Sequence, residues 1–231
     1  MWWDQEADKL MSRTSSRPLP SGIISPDDAF VFGMSLAIFS VMFLGLVSNW
    51  LSAFLLAFTI FFYVVIYSIV LKKRTPQNIV IGGAAGAMPP VIGWTVVTGS
   101  IAIEPIFLFA LIFFWTPPHF WALSVAMKDD YQKASIPMFP VVYGIQKTRR
   151  KIFQYTFVVL FISQLIAFSS VGGTLFFVGS NLLNAYLIFL SFKVAKKKLT
   201  DNWVLELKFF KYTILYLFLF FGLLIVQNLV R

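Results

Sequence analysis

Cysteine is absent from this 231-residue chain, and histidine occurs only once, as His119. The absence of cysteine excludes disulfides, thiolate nucleophiles and cysteine-ligated metals. Charged residues are also scarce, at 13% of the chain, whereas 58% of the residues are hydrophobic and 27 are Phe. A soluble domain of this length could not bury that much apolar surface, so the composition indicates an integral membrane protein.

Seven apolar stretches are long enough to cross a bilayer, because a helix of roughly 20 apolar residues spans the hydrocarbon core. Membrane-spanning strands would be about half as long and would alternate in polarity, so the stretches predict helices. We therefore expect an all-α integral membrane protein with a single domain over residues 1–231. The predicted spans are 29–48, 50–71, 79–98, 105–127, 152–171, 173–192 and 209–229.

Lysine and arginine outnumber the acids 19 to 10. Their placement indicates membrane topology and no nucleic-acid partner, since 18 of the 19 lie in the alternate segments 1–28, 72–78, 128–151 and 193–211. By the positive-inside rule these segments are predicted to be cytoplasmic. All acids except Glu104 lie on the same side. We therefore expect one-sided chemistry, and the nearly charge-free spans weigh against a transporter.

Two aspartates stand close to the N-terminus. Asp4 and Asp8 are four residues apart, so on a helix they share one face. Such a pair suits Mg²⁺, which binds one or two carboxylates and completes its octahedron with water and phosphate oxygens. Arg13 and Arg17 repeat the spacing, and guanidinium groups hold phosphate with paired hydrogen bonds. The alternative is an ordinary solvated helix end.

The stretch LKKRTPQNIVIGGAAGAMPPVIGW, residues 71–94, begins with three bases at the end of a predicted span. Such a basic cluster is usually a topology signal. Gly82 and Gly86 form a small-xxx-small face, which predicts close helix contact there. Pro89 and Pro90 in the middle of the span free backbone carbonyls, which must find other partners.

The stretch WTPPHFWALSVAMKDD, residues 115–130, places His119 inside a span, where Pro117 and Pro118 are expected to open the helix. An ionisable residue within a span is a functional hypothesis by default, and the alternative is a hydrogen-bonded structural histidine. Asp129 and Asp130 follow on the membrane face predicted for the N-terminal aspartates. Two acidic clusters flanked by bases at one mouth of a bundle suggest a metal–diphosphate site.

Three motifs together resemble those of haem O synthases (protohaem IX farnesyltransferases), a branch of the UbiA-type intramembrane prenyltransferases. They are LKKRTPQNIVIGGAAGAMPPVIGW, WTPPHFWALSVAMKDDYQKASIPMFPVVYG, and D-x-E-x-D-x-x-M-x-R-T-x-x-R-P-L from Asp4 to Leu19. The resemblance implies a UbiA-type helical bundle and an enzyme that transfers farnesyl from farnesyl diphosphate to the 2-vinyl group of haem b. Water then adds to give the hydroxyethylfarnesyl side chain of haem O.

The resemblance also implies roles for the charged residues. The catalytic residues are expected to be Asp4, Asp8, Asp129, Asp130 and His119. Mg²⁺, the expected cofactor, would be held by the four aspartates. The residues expected to bind the diphosphate are Arg13, Arg17, Lys72, Lys73 and Lys128. His119 would either ligate or orient the haem or act as the base for the added water.

The chain departs from the family at several points. Members usually have nine spans, and two helices and an Asn precede the first aspartate; this chain begins three residues before Asp4, so we expect it to lack those helices. Glu6 stands where an Asp is common, and Ser135 stands where Gly is. Adjacent Asp129 and Asp130 differ from the superfamily's usual D-x-x-x-D but are typical of the haem O branch.

The implied partners are farnesyl diphosphate, haem b and the lipid bilayer, with haem A synthase, the downstream enzyme, as a further contact. The implied location is a bacterial inner membrane rather than the mitochondrial one. Two alternatives stay open at this point: another UbiA-type aromatic prenyltransferase, of the quinone or chlorophyll type, and a non-catalytic membrane remnant. The histidine in WTPPHFW argues against the first.

Overall fold

The computed structural model describes residues 1–198 and 202–230, and all regular structure in those ranges is helical. The all-α prediction is therefore confirmed. In chain order the helices are α1 (Gln5–Leu10), α2 (Pro26–Val47), α3 (Trp50–Phe61), a π-helical segment (Phe62–Leu71), α4 (Asn78–Ala87), α5 (Pro89–Thr98), α6 (Ile103–Ala126), α7 (Lys128–Lys133), α8 (Phe139–Tyr143), α9 (Ile145–Ala167), α10 (Thr174–Lys196) and α11 (Val204–Leu229).

Within residues 1–198 and 202–230, six helical stretches are long and apolar enough to span a membrane, against seven predicted. They are Pro26–Val47, Trp50–Leu71, Asn78–Thr98, Ile103–Ala126, Thr174–Lys196 and Val204–Leu229. The seventh predicted span, 152–171, lies in α9, a helix of 23 residues. Its first two turns hold Lys147, Arg149, Arg150 and Lys151, and these bases lower its overall apolarity. The chain is a multi-pass membrane protein.

Helix α6 lies at the centre of the bundle and contacts α4, α5, α9 and α11. Half of its most apolar 18-residue window is buried inside the protein. Helices α9, α10 and α11 pack in sequence beside it, around fully buried aromatic side chains such as Phe176, Tyr216 and Phe220. Since lipid is as apolar as these side chains, close packing rather than water exclusion holds such helices together.

Interhelical hydrogen bonds join the last three helices, α9, α10 and α11. Asn184 of α10 donates to the Ser163 hydroxyl of α9 at 2.8 Å and accepts from the Tyr216 hydroxyl of α11 at 2.9 Å. All three side chains are buried. Each such bond within a membrane typically contributes about 0.6 kcal/mol, so they fix register more than they add stability.

Helices α2 and α3 form the periphery. Only 6% of the most apolar window of α2 is buried, and Gly45 is the only buried residue of that helix. Asn49 caps the start of α3 by accepting from the Ser52 amide at 2.9 Å, and its side chain also donates to the Thr95 carbonyl of α5 at 2.8 Å. The pair of helices α2 and α3 is thus joined to the bundle at the turn between them, and it exposes apolar faces along its length.

The two double prolines behave differently. Pro89 and Pro90 begin α5 directly after Met88, where α4 has ended, and proline suits a first turn because that amide needs no partner. The expectation that Pro117 and Pro118 open α6 is wrong, because the helix continues through them to Ala126. Tight packing around this part of α6, where both prolines are buried, supports the helix despite the two missing donors.

The predicted glycine face also needs correction. A Cβ added at Gly82 would lie 2.2 Å from a ring carbon of Tyr67, and one at Gly83 would lie 3.1 Å from Thr116. At Gly86 it would meet nothing within 4 Å. The close approach of α4 to its neighbours therefore uses Gly82 and Gly83, because those two positions face the π-helical segment and α6 respectively.

The four basic segments converge at one end of the bundle, as their alternation predicted, although Asp201 of the last segment lies outside the described residues. The opposite end holds Glu104, which accepts a hydrogen bond from the Ser170 hydroxyl at 2.5 Å. The pairs that join the basic segments are Asp4 with Lys72, Ser12 with Asp130, and Arg149 with Glu206.

Candidate functional site

Helix α1 is amphipathic, and its inner face carries the two N-terminal aspartates. Asp4, Ala7, Asp8 and Met11 follow a helical spacing of three and four residues, and all four are buried. Ala7 and Met11 pack in a cluster with residues of α4 and α7, including Tyr131. This apolar contact holds the carboxylates against the bundle, so the alternative of a solvated helix end is wrong.

Asp4 is paired across the chain with Lys72, the first residue after the π-helical segment. The Lys72 Nζ lies 2.8 Å from the Asp4 Oδ2. The second carboxylate oxygen, Oδ1, is buried and has no hydrogen-bond partner in the described parts of the chain. A buried carboxylate oxygen without a donor is costly and calls for an explanation, such as a cation bound there.

Asp8 is paired within the N-terminal segment. The Arg17 Nη1 lies 3.6 Å from the Asp8 Oδ2. The Thr14 hydroxyl donates to the backbone carbonyl of Asp8 at 2.9 Å. Helix α1 ends at Leu10, before both arginines. Arg13 and Arg17 therefore lie in the turns that follow the helix and do not share a helix face, although they are four residues apart. Arg17 is therefore the arginine next to the carboxylates.

Arg13 lies beside the hydroxyl of Tyr131 in α7. Burial raises the pKa of Tyr131, and the adjacent Arg13 opposes part of that rise. The tyrosine therefore stays protonated at neutral pH and can donate or accept a hydrogen bond. This contact joins the N-terminal segment to the helix that carries the second acid pair.

The two aspartates of α7 have different surroundings. Asp130 accepts hydrogen bonds through its Oδ2 from the Ser12 hydroxyl and from the Ser12 amide, the latter at 3.2 Å. Asp129 is exposed and lines a shallow depression with Gln132 and Lys133. Asp130 thus belongs to the site near the N-terminal segment, and Asp129 lies at its outer edge.

The remaining predicted phosphate-binding residues, Lys73 and Lys128, have no ion-pair partner within the described ranges. Lys73 is exposed and Lys128 is half-buried. Their charges are therefore available to an anion at the bundle end, next to Lys72 and Asp129 in the sequence. The name mouth cluster is used below for the residues Asp4, Asp8, Arg17, Lys72 and Asp130.

The residues of the mouth cluster fit a magnesium ion in part. Where the chain is described, no three Asp, Glu or His side chains are close enough together to share a metal. Mg²⁺ needs only one or two carboxylates when phosphate oxygens and water supply the rest. Asp4, with its unpartnered buried oxygen, and Asp8 on the same helix face are the donors that suit such an ion.

His119 lies deeper, nine residues before Lys128, or about 14 Å along a helix with a rise of 1.5 Å per residue. It is 8% exposed. Its ring stacks between Trp115, with centroids 4.3 Å apart, and Phe210 of α11, at 4.5 Å. Its Nδ1 lies 2.7 Å from the Thr213 hydroxyl oxygen, and its Nε2 has no hydrogen-bond partner in the described chain.

A second charged cluster lies at the same end, between α9 and α11. The Arg149 Nε donates to the Glu206 Oε1 at 2.8 Å, and the Lys197 Nζ lies 2.9 Å from the Glu206 Oε2. Arg149 also donates through Nη1 to the carbonyls of Lys197 and Lys198. Arg149 and Glu206 are fully buried. The name clamp is used below for Arg149, Glu206 and Lys197.

Several contact residues of these sites were not predicted. Asn78 is buried, donates through Nδ2 to the Lys72 carbonyl at 3.0 Å, and so fixes the backbone that presents Lys72. Ser12 binds Asp130, and Thr213 binds His119. Ser12 and Thr213 lie 118 and 94 residues from their partners, so no local sequence pattern could have identified them. Asn78 directly precedes the predicted span 79–98 in the sequence.

Comparison with known proteins gives consistent matches. The UbiA prenyltransferase family matches residues 1–215. A Paracoccus denitrificans (strain Pd 1222) protein named protoheme IX farnesyltransferase is 49% identical over 232 residues, which cover 99% of this chain and 76% of that protein. A protein of the same name from Roseobacter denitrificans is 46% identical, and the match covers 100% of this chain and 75% of that protein. Another, from Parvibaculum lavamentivorans, is 48% identical, and the match covers 99% of this chain and 72% of that protein. No solved structure matches the chain.

Proposed function

Since this chain belongs to the UbiA prenyltransferase family, we propose that it is a protohaem IX farnesyltransferase, which transfers farnesyl from farnesyl diphosphate to the 2-vinyl group of haem b and so makes haem O. One observation carries this proposal: proteins of that name are 46–49% identical to it over nearly its whole length. The mouth cluster and His119 supply chemistry that suits the reaction.

The first step is departure of diphosphate from an allylic carbon. The C–O bond breaks, the farnesyl group becomes a cation, and both bonding electrons leave with the diphosphate, whose charge must be neutralised where it develops. Lys72 and Arg17 present cations at the mouth, and Lys73 and Lys128 carry charges that have no ion-pair partner among the described residues. Arg13, beside Tyr131, is the fifth of the bases expected to bind the diphosphate.

Magnesium is the proposed cofactor. When bound, the ion would neutralise the leaving diphosphate as a Lewis acid. Asp4 and Asp8 are the residues that would hold it, since both are buried on the inner face of α1 and one Asp4 oxygen lacks a donor in the part of the chain that the structure describes. Asp130, oriented by Ser12, would bind water around the ion, and exposed Asp129 would add negative charge at the rim.

The second step joins the two substrates. The farnesyl C1 bonds to the terminal vinyl carbon, the positive charge moves to the carbon next to the porphyrin, water adds there, and a proton leaves the added water. An apolar interior with few charged groups protects both cations from early attack by water. His119, about 14 Å below Lys128 along the helix, is placed to ligate the haem iron or to accept that proton.

The charge pattern supports a sidedness, and the relatives support a location. We place the mouth on the cytoplasmic side, because the four basic segments gather at that end and the positive-inside rule applies to short loops. We propose a bacterial inner membrane because the matching proteins come from bacteria. Haem O is apolar and would stay in the bilayer. We therefore also propose contact with haem A synthase, the enzyme that uses this product.

The proposal is tested by a competition between acceptors. The full chain, purified into lipid nanodiscs with Mg²⁺ and labelled farnesyl diphosphate, receives haem b and 4-hydroxybenzoate together, and mass spectrometry identifies the labelled product. We expect label only in haem O. Label only in the benzoate product would identify an aromatic prenyltransferase, and folded protein that labels neither acceptor would contradict the proposal.

A further inference from the structure

Aromatic side chains pack on both faces of the His119 ring, so only its two ring nitrogens are open to a ligand or a proton. Trp115 covers one face at an interplanar angle of 16°, and Phe210 covers the other at 23°. Phe120 meets the ring edge-on. Stacking on both faces fixes the plane of the imidazole. A ligand or a proton can therefore reach His119 only along the ring edge, through Nδ1 or Nε2.

The two short contacts of the Thr213 hydroxyl indicate which ring nitrogen of His119 carries hydrogen. The hydroxyl has a single proton, and it donates that proton to the Phe210 carbonyl at 2.6 Å. The same oxygen lies 2.7 Å from the His119 Nδ1. Hydrogen on Nδ1 gives each of the two short contacts its own proton, whereas hydrogen on Nε2 would leave the Thr213 oxygen facing either the carbonyl or Nδ1 without one. The two contacts therefore favour the Nδ1–H form.

Thr213 is itself fixed by the residue that stacks on His119. The Trp115 indole nitrogen donates to the Thr213 carbonyl at 3.1 Å. Trp115 and His119 are one turn apart on α6, so both reach the same turn of α11. Trp115 thus holds the backbone of Thr213, and the Phe210 carbonyl holds its hydroxyl. The hydroxyl cannot turn away without breaking a buried hydrogen bond.

We infer that Thr213 is a positioning residue, which fixes His119 as the Nδ1–H tautomer and leaves the Nε2 lone pair in the ring plane for the haem substrate. Neutral imidazole binds iron through such a lone pair, and the partner of the other nitrogen orients the ligand. The geometry alone supports the tautomer. Its use for haem rests on the function proposed above.

The tautomer can be measured directly because His119 is the only histidine of the chain. Labelling with ¹⁵N-histidine gives one pair of ring signals, and the shifts and couplings of the two nitrogens identify which of them carries hydrogen. We expect a protonated Nδ1 and a bare Nε2 in the wild type and in Thr213→Ser, which keeps the acceptor. Thr213→Val, of equal shape, should lose that preference and populate Nε2–H.

A bare Nδ1 in the wild type overturns the inference, and so does a Thr213→Val spectrum equal to that of the wild type. This readout needs no turnover, so it is independent of whether haem O is made. If Thr213→Val does not fold, the wild type and Thr213→Ser still decide the matter. Thr156→Val, which removes another buried hydroxyl of the bundle, is the control and should leave the histidine signals unchanged.

A second arm tests the use of the lone pair. Haem b is titrated into each variant and followed by its Soret absorption, and farnesyl diphosphate binding is measured separately. Loss of a residue that orients a metal ligand typically weakens affinity about 10–100-fold, and we expect that loss for haem in Thr213→Val alone. Unchanged haem affinity would overturn the proposed haem role, whereas a correct tautomer without haem O formation would contradict only the proposed function.

Discussion

The mouth cluster and the clamp are two sets of charged residues at one end of the same bundle, and they differ in how completely their charges are matched. In the clamp, both oxygens of Glu206 have cationic partners and Arg149 donates to two further carbonyls. The buried Arg149 Nη2 has no hydrogen bond of good geometry in the described chain, but it lies 2.5 Å from the Glu206 Oε1 and so faces an opposite charge. In the mouth cluster, one oxygen of Asp4 is buried without a partner among the described residues, and the Arg17–Asp8 pair is 3.6 Å long. Matched charges indicate structure, and incompletely matched ones indicate a ligand.

The location of each cluster supports the same distinction. Arg149 and Glu206 of the clamp are fully buried, and the clamp joins the start of α9 to the end of α10 and the start of α11. The mouth cluster joins short helices and turns, and two bases next to it in the sequence, Lys73 and Lys128, have no ion-pair partner within the described ranges. The clamp therefore ties helix ends together, whereas the mouth cluster leaves charge at the bundle end for a substrate.

The largest effect is expected from breaking the clamp. Arg149→Met should lower the free energy of unfolding by about 3–5 kcal/mol, because it leaves the buried Glu206 charge with one partner. Unfolding in a denaturant series, followed by circular dichroism in mild detergent, measures it. Arg150→Met, an exposed neighbour, is the control. A small loss of stability with a large loss of turnover would place the clamp in the reaction site.

The reverse pattern is expected at the mouth. Asp8→Ala should lower turnover about 10²–10³-fold, because the magnesium ion that would stabilise the developing charge loses one of its proposed carboxylates, with little change in unfolding. Asp27→Ala removes an exposed acid at the start of α2 and should keep normal turnover. Haem O formed per folded molecule is the measurement. Near-normal turnover of Asp8→Ala would remove Asp8 from the site.

An intermediate effect is expected deeper in the bundle. His119→Ala should weaken haem use about 10–100-fold by loss of an iron ligand or proton acceptor, with farnesyl diphosphate binding unchanged. The two substrates are titrated separately, and the stability of the variant is measured alongside. An equal loss for both substrates would indicate that His119 is a structural residue between Trp115 and Phe210.

The smallest effect is expected at the end of α7. Ser135 has a φ of 54°, a left-handed conformation that glycine adopts without strain and that costs other residues roughly 1–2 kcal/mol. Ser135→Gly should therefore raise the free energy of unfolding by up to about 1 kcal/mol and leave turnover unchanged. Thermal unfolding and product formation together test this. A lower stability would mean that the serine side chain has a contact worth more than the strain.

Spacing and hydropathy predicted much of the fold. The alternation of bases predicted which segments meet at one end, and the spacing of Asp4 and Asp8 predicted that they share a helix face. The π-helical segment before Lys72 was not predicted, because its hydrogen bonds to the fifth residue back depend on tertiary contacts rather than on local propensity. The continuous α6 was missed because packing on its neighbours outweighs two missing donors.

The partners of the functional residues were the least predictable part. Arg149 and Glu206 were both assigned to the basic end, but a linear sequence does not indicate that they pair across 57 residues. Thr213 has the same difficulty, since an isolated threonine in a span has no distinguishing pattern. The resemblance to haem O synthases gave roles to single residues, and the packing of α6 on α11 supplied the contacts.

The central claim, that this bundle uses its mouth cluster to make haem O, is tested most directly by one assay. Purified full-length chain in lipid nanodiscs is given haem b and farnesyl diphosphate, with Mg²⁺ in one sample and excess EDTA in another, and haem O is quantified by mass spectrometry. We predict haem O with Mg²⁺ and loss of nearly all product with EDTA. Folded protein that forms no haem O in either sample would contradict the account.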